Sequence, residues 1–319
     1  MNKFLTIAMA LAMSTLMFSC LQEKETDYEK QVKRDDQILA DYVAQNGIDA
    51  EQSPAGYYYT RDVDIEDGVK FNDEDIIGIY YEMETLEGAF IESYDEADGA
   101  PIKFKYDREA QTLAPIAINS AVALAEEGET LTLYIPSYMA YSGYSYGQLI
   151  SPYENLKVTV RFVKIYPEQE IAAIEDDKIQ EYISQNELEG YEAIGEGMYR
   201  RIVEEGDMDS DASKNGNRVG FTYQLFQLGE EDPFSEVASN PVVTTLGASD
   251  NFDFINEGLK DLYDGAEVEV IAPSSAAYSA TAQVLPRAIR QDYFDKGYLN
   301  TIVEPFEPIL FKATIEGIQ

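Results

Sequence analysis

A chain of 319 residues with 45% hydrophobic content can bury one large core or two of ordinary domain size. Its 60 Asp+Glu against 23 Lys+Arg give a formal net charge of −37, which repels nucleic-acid phosphates and anionic headgroups, so nucleic acid is not an expected partner. With no histidine and one cysteine the chain has no Ser-His-Asp triad, no histidine acid–base chemistry, no His-ligated zinc and no internal disulfide; no cofactor or metal is expected. The acids are dispersed along the chain, as on a solvated surface.

Residues 1–20 start with Lys3, run through FLTIAMALAMSTLMF and end at Ser19-Cys20, the layout of a secretory signal with a short apolar core. The run is short for a membrane span, and charged sequence follows at once. A small residue before a lone cysteine resembles the lipobox of bacterial lipoproteins, although Met17 and Phe18 stand where leucine and a small residue are usual. That resemblance implies lipidation of Cys20, a polar tether over 21–34, and attachment to the bacterial cell envelope by the lipid anchor only.

From Asp36, DQILADYVAQN has apolar residues at helical spacing, and DDKIQEYISQN from Asp176 repeats it. YYYTRDVDIEDG (57–68) and MYRRIVEEGD (198–207) each predict a strand running into a turn. The loop DMDSDASKNGN from Asp207 has calcium-loop composition, but Ala212 replaces the central glycine and Arg218 the bidentate glutamate, which favours a solvated loop. DIIGIYYEMET (75–85) and VGFTYQLFQL (219–228) predict strands rich in β-branched and aromatic residues, with Tyr81 and Tyr223 at equivalent places.

LAPIAINSAVALA (113–125) and FDFINEGLKDLY (252–263) predict short helices. Each leads through an acidic residue and a glycine into a strand and a Pro-Ser loop with a tyrosine: EEGETLTLYIPSYMAYSG (126–143) ends on Tyr141, and DGAEVEVIAPSSAAYSA (264–280) carries Tyr278. LKVTVRFVKI (156–165) and ILFKATIEGI (309–318) predict the closing strands. EQEIAAIEDD (168–177) is expected to run on into the second half's opening helix. Thr281 to Thr301 has no partner in the first half and is expected to reshape or cover the Tyr278 site. Two domains follow, 35–167 and 168–319.

This order, with YYEMETLEGAFIES (80–93), IPSYMAYSG (135–143) and LISPYENLKVTVRFVKI (149–165), resembles the FKBP-type peptidyl-prolyl cis-trans isomerases. The resemblance implies an α+β fold of two FKBP-like domains, each a twisted antiparallel sheet wrapped around one short helix and preceded by an N-terminal helix. It implies a proline pocket between helix and sheet that isomerises Xaa-Pro bonds without a cofactor, on proline-containing segments of exported proteins. In the first domain Tyr81, Glu92 and Tyr141 fall at the family's functional positions, and Ile91, Ile118, Ile150 and Val158 at its pocket walls. In the second, Tyr223 and Tyr278 fall at the functional positions and Phe234, Phe252, Ile255, Val303 and Phe311 at the walls.

The departures differ between the halves. Ile91, Ile118 and Val158 replace aromatic walls, which implies a wider or shallower first pocket. Pro115 stands where a backbone N–H would hold a ligand carbonyl. The second half keeps that N–H at Phe252 but has Ser235 followed by Glu236 in place of the acid. Two other classes stand beside the isomerase reading. One is a non-catalytic FKBP-like module holding a protein or glycan partner. The other is a hydrolase with two facing carboxylates, for which the sequence selects no pair.

Overall fold

The computed structural model describes residues 25–110 and 112–319. The signal-like segment and Cys20 lie outside the described residues. Helix α1 (Asp27–Gln45) starts earlier than the spacing from Asp36 predicts. The cause is a capping box: the Thr26 side chain accepts from the Glu29 N–H while the Glu29 carboxylate accepts from the Thr26 N–H. Residues 27–34 of the expected tether are therefore helical.

The first domain continues through β1 (Glu51–Gln52), β2 (Tyr58–Val63), β3 (Ile76–Thr85), β4 (Phe90–Tyr94), β5 (Ile102–Lys105) and β6 (Leu113–Ala114). Pro115 then caps the six-residue helix α2 (Ile116–Ala121), and β7 (Thr130–Ile135) and β8 (Leu156–Tyr166) complete the domain. The sheet order is β1-β2-β7-β8-β3-β4, with β5 also on β3, and its pairs are antiparallel. Along β8, Leu156, Val158, Val160 and Phe162 are buried and the residues between them are not, the alternation of a sheet with one face on the core. Ala117, Ile118 and Ala121 of α2 pack into that same core.

Helix α3 (Glu168–Gln185) spans the junction as one element, as the sequence predicts. The second domain follows with β9 (Glu192–Gly195), β10 (Met198–Glu204), β11 (Arg218–Gln227) and β12 (Ser235–Thr245). Helix α4 (Asp253–Gly258), capped by Phe252, precedes β13 (Glu267–Ala272). After β13 come β14 (Gln283–Val284), helix α5 (Arg290–Asp295) and β15 (Ile309–Ile318). The order β12-β11-β15-β13-β10-β9 is that of the first sheet, element for element.

One pairing crosses between the domains. β14 lies parallel to β6, with Gln283 opposite Leu113 and Val284 opposite Ala114. The unpaired segment of the second half thus leaves its own domain and docks on the first. Both Ala114–Pro115 and Leu285–Pro286 are cis.

Candidate functional site

The first cleft draws its motif residues from several elements. Tyr81 comes from β3, Ile91 and Glu92 from β4, Ile118 from α2, Tyr141 and Ile150 from the loops after β7, and Val158 from β8. The six apolar and aromatic side chains share one buried cluster. That cluster also contains Val284, Leu285 and Ile289, all at most 1% exposed, so the cleft is filled by the other domain's segment.

The filling is directional. The Leu285 N–H donates to the Ala114 carbonyl at 2.9 Å, and the Gln283 N–H to the Thr112 carbonyl at 2.8 Å. The Tyr141 hydroxyl donates to the Leu285 carbonyl and lies 3.4 Å from Met83 Sδ. Pro286, next in the chain, is buried as well. The expectation that the 281–301 segment covers the Tyr278 site is thus corrected: it covers the Tyr141 site. Three aliphatic walls in place of aromatics leave room for branched side chains, and this cleft holds them.

Glu92 stands at the mouth of the filled cleft, beside the Tyr81 hydroxyl and the backbone N–H groups of Arg287 and Ala288. Glu92 Oε2 and the Tyr81 hydroxyl are both buried without a hydrogen-bond partner. Burial raises the Glu92 pKa, and the nearby N–H groups and the Tyr81 hydroxyl offset only part of that. Arg287 pairs with Glu304 at 3.2 Å and sits 5.7 Å over the Tyr94 ring.

The segment is braced from within. Buried Arg290 donates to the carbonyls of Ile302 at 2.7 Å and Ala282 at 2.9 Å, and to that of Val303. It therefore ties the two ends of the excursion together. Farther along, the Tyr144 hydroxyl donates to Asp292 at 2.7 Å, and Tyr144 meets Tyr293 edge-on at 4.7 Å.

The second cleft has the same frame and, among the described residues, no such occupant. Val303 and Phe311 are in its buried cluster, with Tyr223, Phe234, Ile255 and Tyr278 packed against it, and every member belongs to residues 194–318. Tyr278 is bracketed by Phe252 at 5.1 Å and Phe234 at 5.9 Å, the latter edge-on. Phe254, behind Phe252, meets Phe311 at 5.1 Å. Phe252 is 41% exposed, so one wall of this aromatic recess faces solvent. Burial raises the Tyr278 pKa, and no hydrogen bond among the described residues contributes to the shift. The Tyr223 hydroxyl is 3.3 Å from Ser235 Oγ. Arg200 of β10 donates to the Lys260 carbonyl at 2.6 Å, just past the end of α4, where a cation is favourable.

Residues that the sequence reading missed hold the tyrosine loops. Asp35 of α1 is fully buried and accepts from the Ser137 hydroxyl at 2.5 Å, and Asn155 accepts from the Ser137 N–H at 2.8 Å. In the second domain Glu175 of α3 accepts from the Ser274 N–H at 3.2 Å. The two acids are equivalent in the helix repeat, so each opening helix pins the Pro-Ser turn that precedes its domain's tyrosine. Matching DQILADYVAQN to DDKIQEYISQN with one residue more upstream was the available signal.

A probable FKBP-type peptidyl-prolyl cis-trans isomerase, FkpA of Neisseria meningitidis serogroup B, is 27% identical over 145 residues, which are 46% of this chain and 50% of that protein. The chain thus spans about half the length of the curated relative it matches. Among solved structures, FkpA from Escherichia coli is 18% identical, with 52% of this chain and 74% of that one covered and a TM-score of 0.35. The three FKBP domains of wheat FKBP73 are 12% identical, over 83% of this chain and 96% of that one, with a TM-score of 0.33. No protein-family model matches the chain. The chain is similar to FKBP-type proteins, as its motifs imply, and the fold is α+β as expected.

Proposed function

We propose that this FKBP-like chain is a peptidyl-prolyl cis-trans isomerase of the bacterial cell envelope whose working pocket is in the second domain. The observation that carries the reading is the aromatic recess around Tyr278, walled by Phe234, Phe252 and Phe311 and open at Phe252. An aromatic recess suits a proline ring. The Tyr278 hydroxyl and the Phe252 N–H are donors for the carbonyls that flank the bond.

The reaction needs little else. Rotation about an Xaa-Pro bond costs about 20 kcal/mol because the amide loses its resonance. A recess that strips water from the imide and holds its carbonyls favours the twisted geometry over the planar one. No nucleophile is consumed, which fits a chain without histidine. The envelope location and lipid anchor are supported by residues 1–20 and Cys20. Among the described residues no helix is long and apolar enough to cross a membrane. The clients are proline-containing segments of exported chains.

The test is cis-trans exchange of short Xaa-Pro peptides, followed by NMR. The native chain should accelerate exchange, Tyr278→Phe should cut the gain about 3- to 10-fold through loss of one hydrogen bond, and Tyr141→Phe should leave it intact. Acceleration untouched by Tyr278→Phe would remove the second pocket from the reaction. Peptide binding without acceleration would favour the non-catalytic module, to which the replacement of the acid by Ser235 is the pointer.

A further inference from the structure

We infer that the first cleft is a peptide-binding site whose ligand is built into the chain: residues 283–289, QVLPRAI, of the second domain. The chemistry it takes is an extended apolar segment, a Leu-Pro step, a basic residue and a further apolar side chain. This inference concerns the first cleft and is independent of whether the second pocket isomerises.

Three observations combine. The segment enters as a strand on β6, paired through the Gln283 and Leu285 N–H groups, which is how an added peptide engages an exposed edge. Its Leu285 carbonyl takes the hydrogen bond of the cleft tyrosine, Tyr141. Val284, Leu285 and Ile289 are buried in the cluster that holds the walls and Pro286 is buried too, while Arg287 stays at the rim by Glu92 and Glu304. Leu285 thus lies in the same core as Tyr81, Ile118, Tyr141 and Val158, with its carbonyl on the Tyr141 hydroxyl.

Self-ligation has a consequence for affinity. A segment tethered through its own domain meets the cleft at an effective concentration of order millimolar or above. Free peptides of the same chemistry therefore do not displace it, and the first cleft is closed to clients while the second remains open. Arg290, holding the carbonyls of Ala282, Ile302 and Val303, fixes the excursion in the shape that reaches the cleft.

The experiment uses the full-length chain with residues 283–289 replaced by a Gly-Ser segment of equal length, and a fluorescent peptide copying residues 281–291. Anisotropy should reveal a binding event that is absent from the native chain, weakened about 2- to 10-fold by Tyr141→Phe and unaffected by Tyr278→Phe. No added event, or a Tyr141-sensitive event already present in the native chain, would overturn the inference. Should the replaced chain fail to fold, hydrogen exchange on the intact chain decides. Tyr141→Phe should speed exchange of the Leu285 amide and leave the Leu310 amide of β15 unchanged; an unchanged Leu285 amide would overturn it equally.

Discussion

Tyr141 and Tyr278 occupy the same place in two copies of one loop, yet one hydroxyl is committed to a carbonyl of its own chain and the other has no such partner among the described residues. Behind each is an acid on the domain's opening helix. Asp35 and Ser137 are both fully buried, so Asp35→Ala leaves the Ser137 hydroxyl desolvated and unpaired, at a cost of about 1–3 kcal/mol. Urea denaturation should register that loss. Asp36→Ala, which removes a bond from the Tyr138 hydroxyl at the helix flank, should cost less than about 1 kcal/mol. Equal losses would show that Asp35 has no special hold on the loop. The tyrosines were legible in the sequence because the Pro-Ser step and its glycine turn occur twice. Asp35 was not, because one carboxylate among 60 acids carries no mark of burial until the helix is placed against the loop.

At the level of elements, the strands and helices that the sequence predicts were readable because they are strongly patterned and present in duplicate, whereas β5, β14 and α5 have no counterpart in the other half. The segment between Tyr278 and β15 was readable as an insertion, but not by destination. Sequence adjacency placed it at the Tyr278 cleft, whereas its apolar residues, Val284, Leu285 and Ile289, are satisfied only in the aliphatic cleft of the other domain. Leu285→Asp tests this coupling. A carboxylate at a fully buried apolar position costs several kcal/mol unless it is expelled. Expulsion removes β14 from β6 and leaves α3 and its packing as the main link between domains. Calorimetry should then resolve two unfolding transitions where the native chain gives one. A single transition at a lower temperature would mean that the segment is not what couples the domains.

Across the whole molecule the two sheets share one strand order, and the chain around them carries a net charge of −37. Such a charge repels itself in the compact state, so added salt should stabilise it, as the screening length falls from about 10 Å at 0.1 M to about 3 Å at 1 M. Acidification acts in the same direction through specific groups. Burial raises the pKa of Glu92 and Glu175, so both bind a proton more tightly folded than unfolded. Their contribution is fully present below the ordinary glutamate value and is lost as pH rises through their raised values. Glu269 has the opposite sign: burial alone would raise it, but the Tyr191 hydroxyl, Lys312 and Arg201 outweigh that and lower its pKa. Its contribution is lost as pH falls through its depressed value. The urea midpoint should therefore rise from pH 8 toward about pH 5 and fall below about pH 4. Salt should remove the part of the rise that comes from general repulsion and leave the part that comes from burial. Glu175 has one buried carboxylate oxygen without a partner, so Glu175→Gln should stabilise the chain at pH 8 by about 1 kcal/mol and flatten the rise that persists in 1 M NaCl. A midpoint flat between pH 8 and 5 in high salt for the native chain would mean that neither buried glutamate stays ionised at a cost.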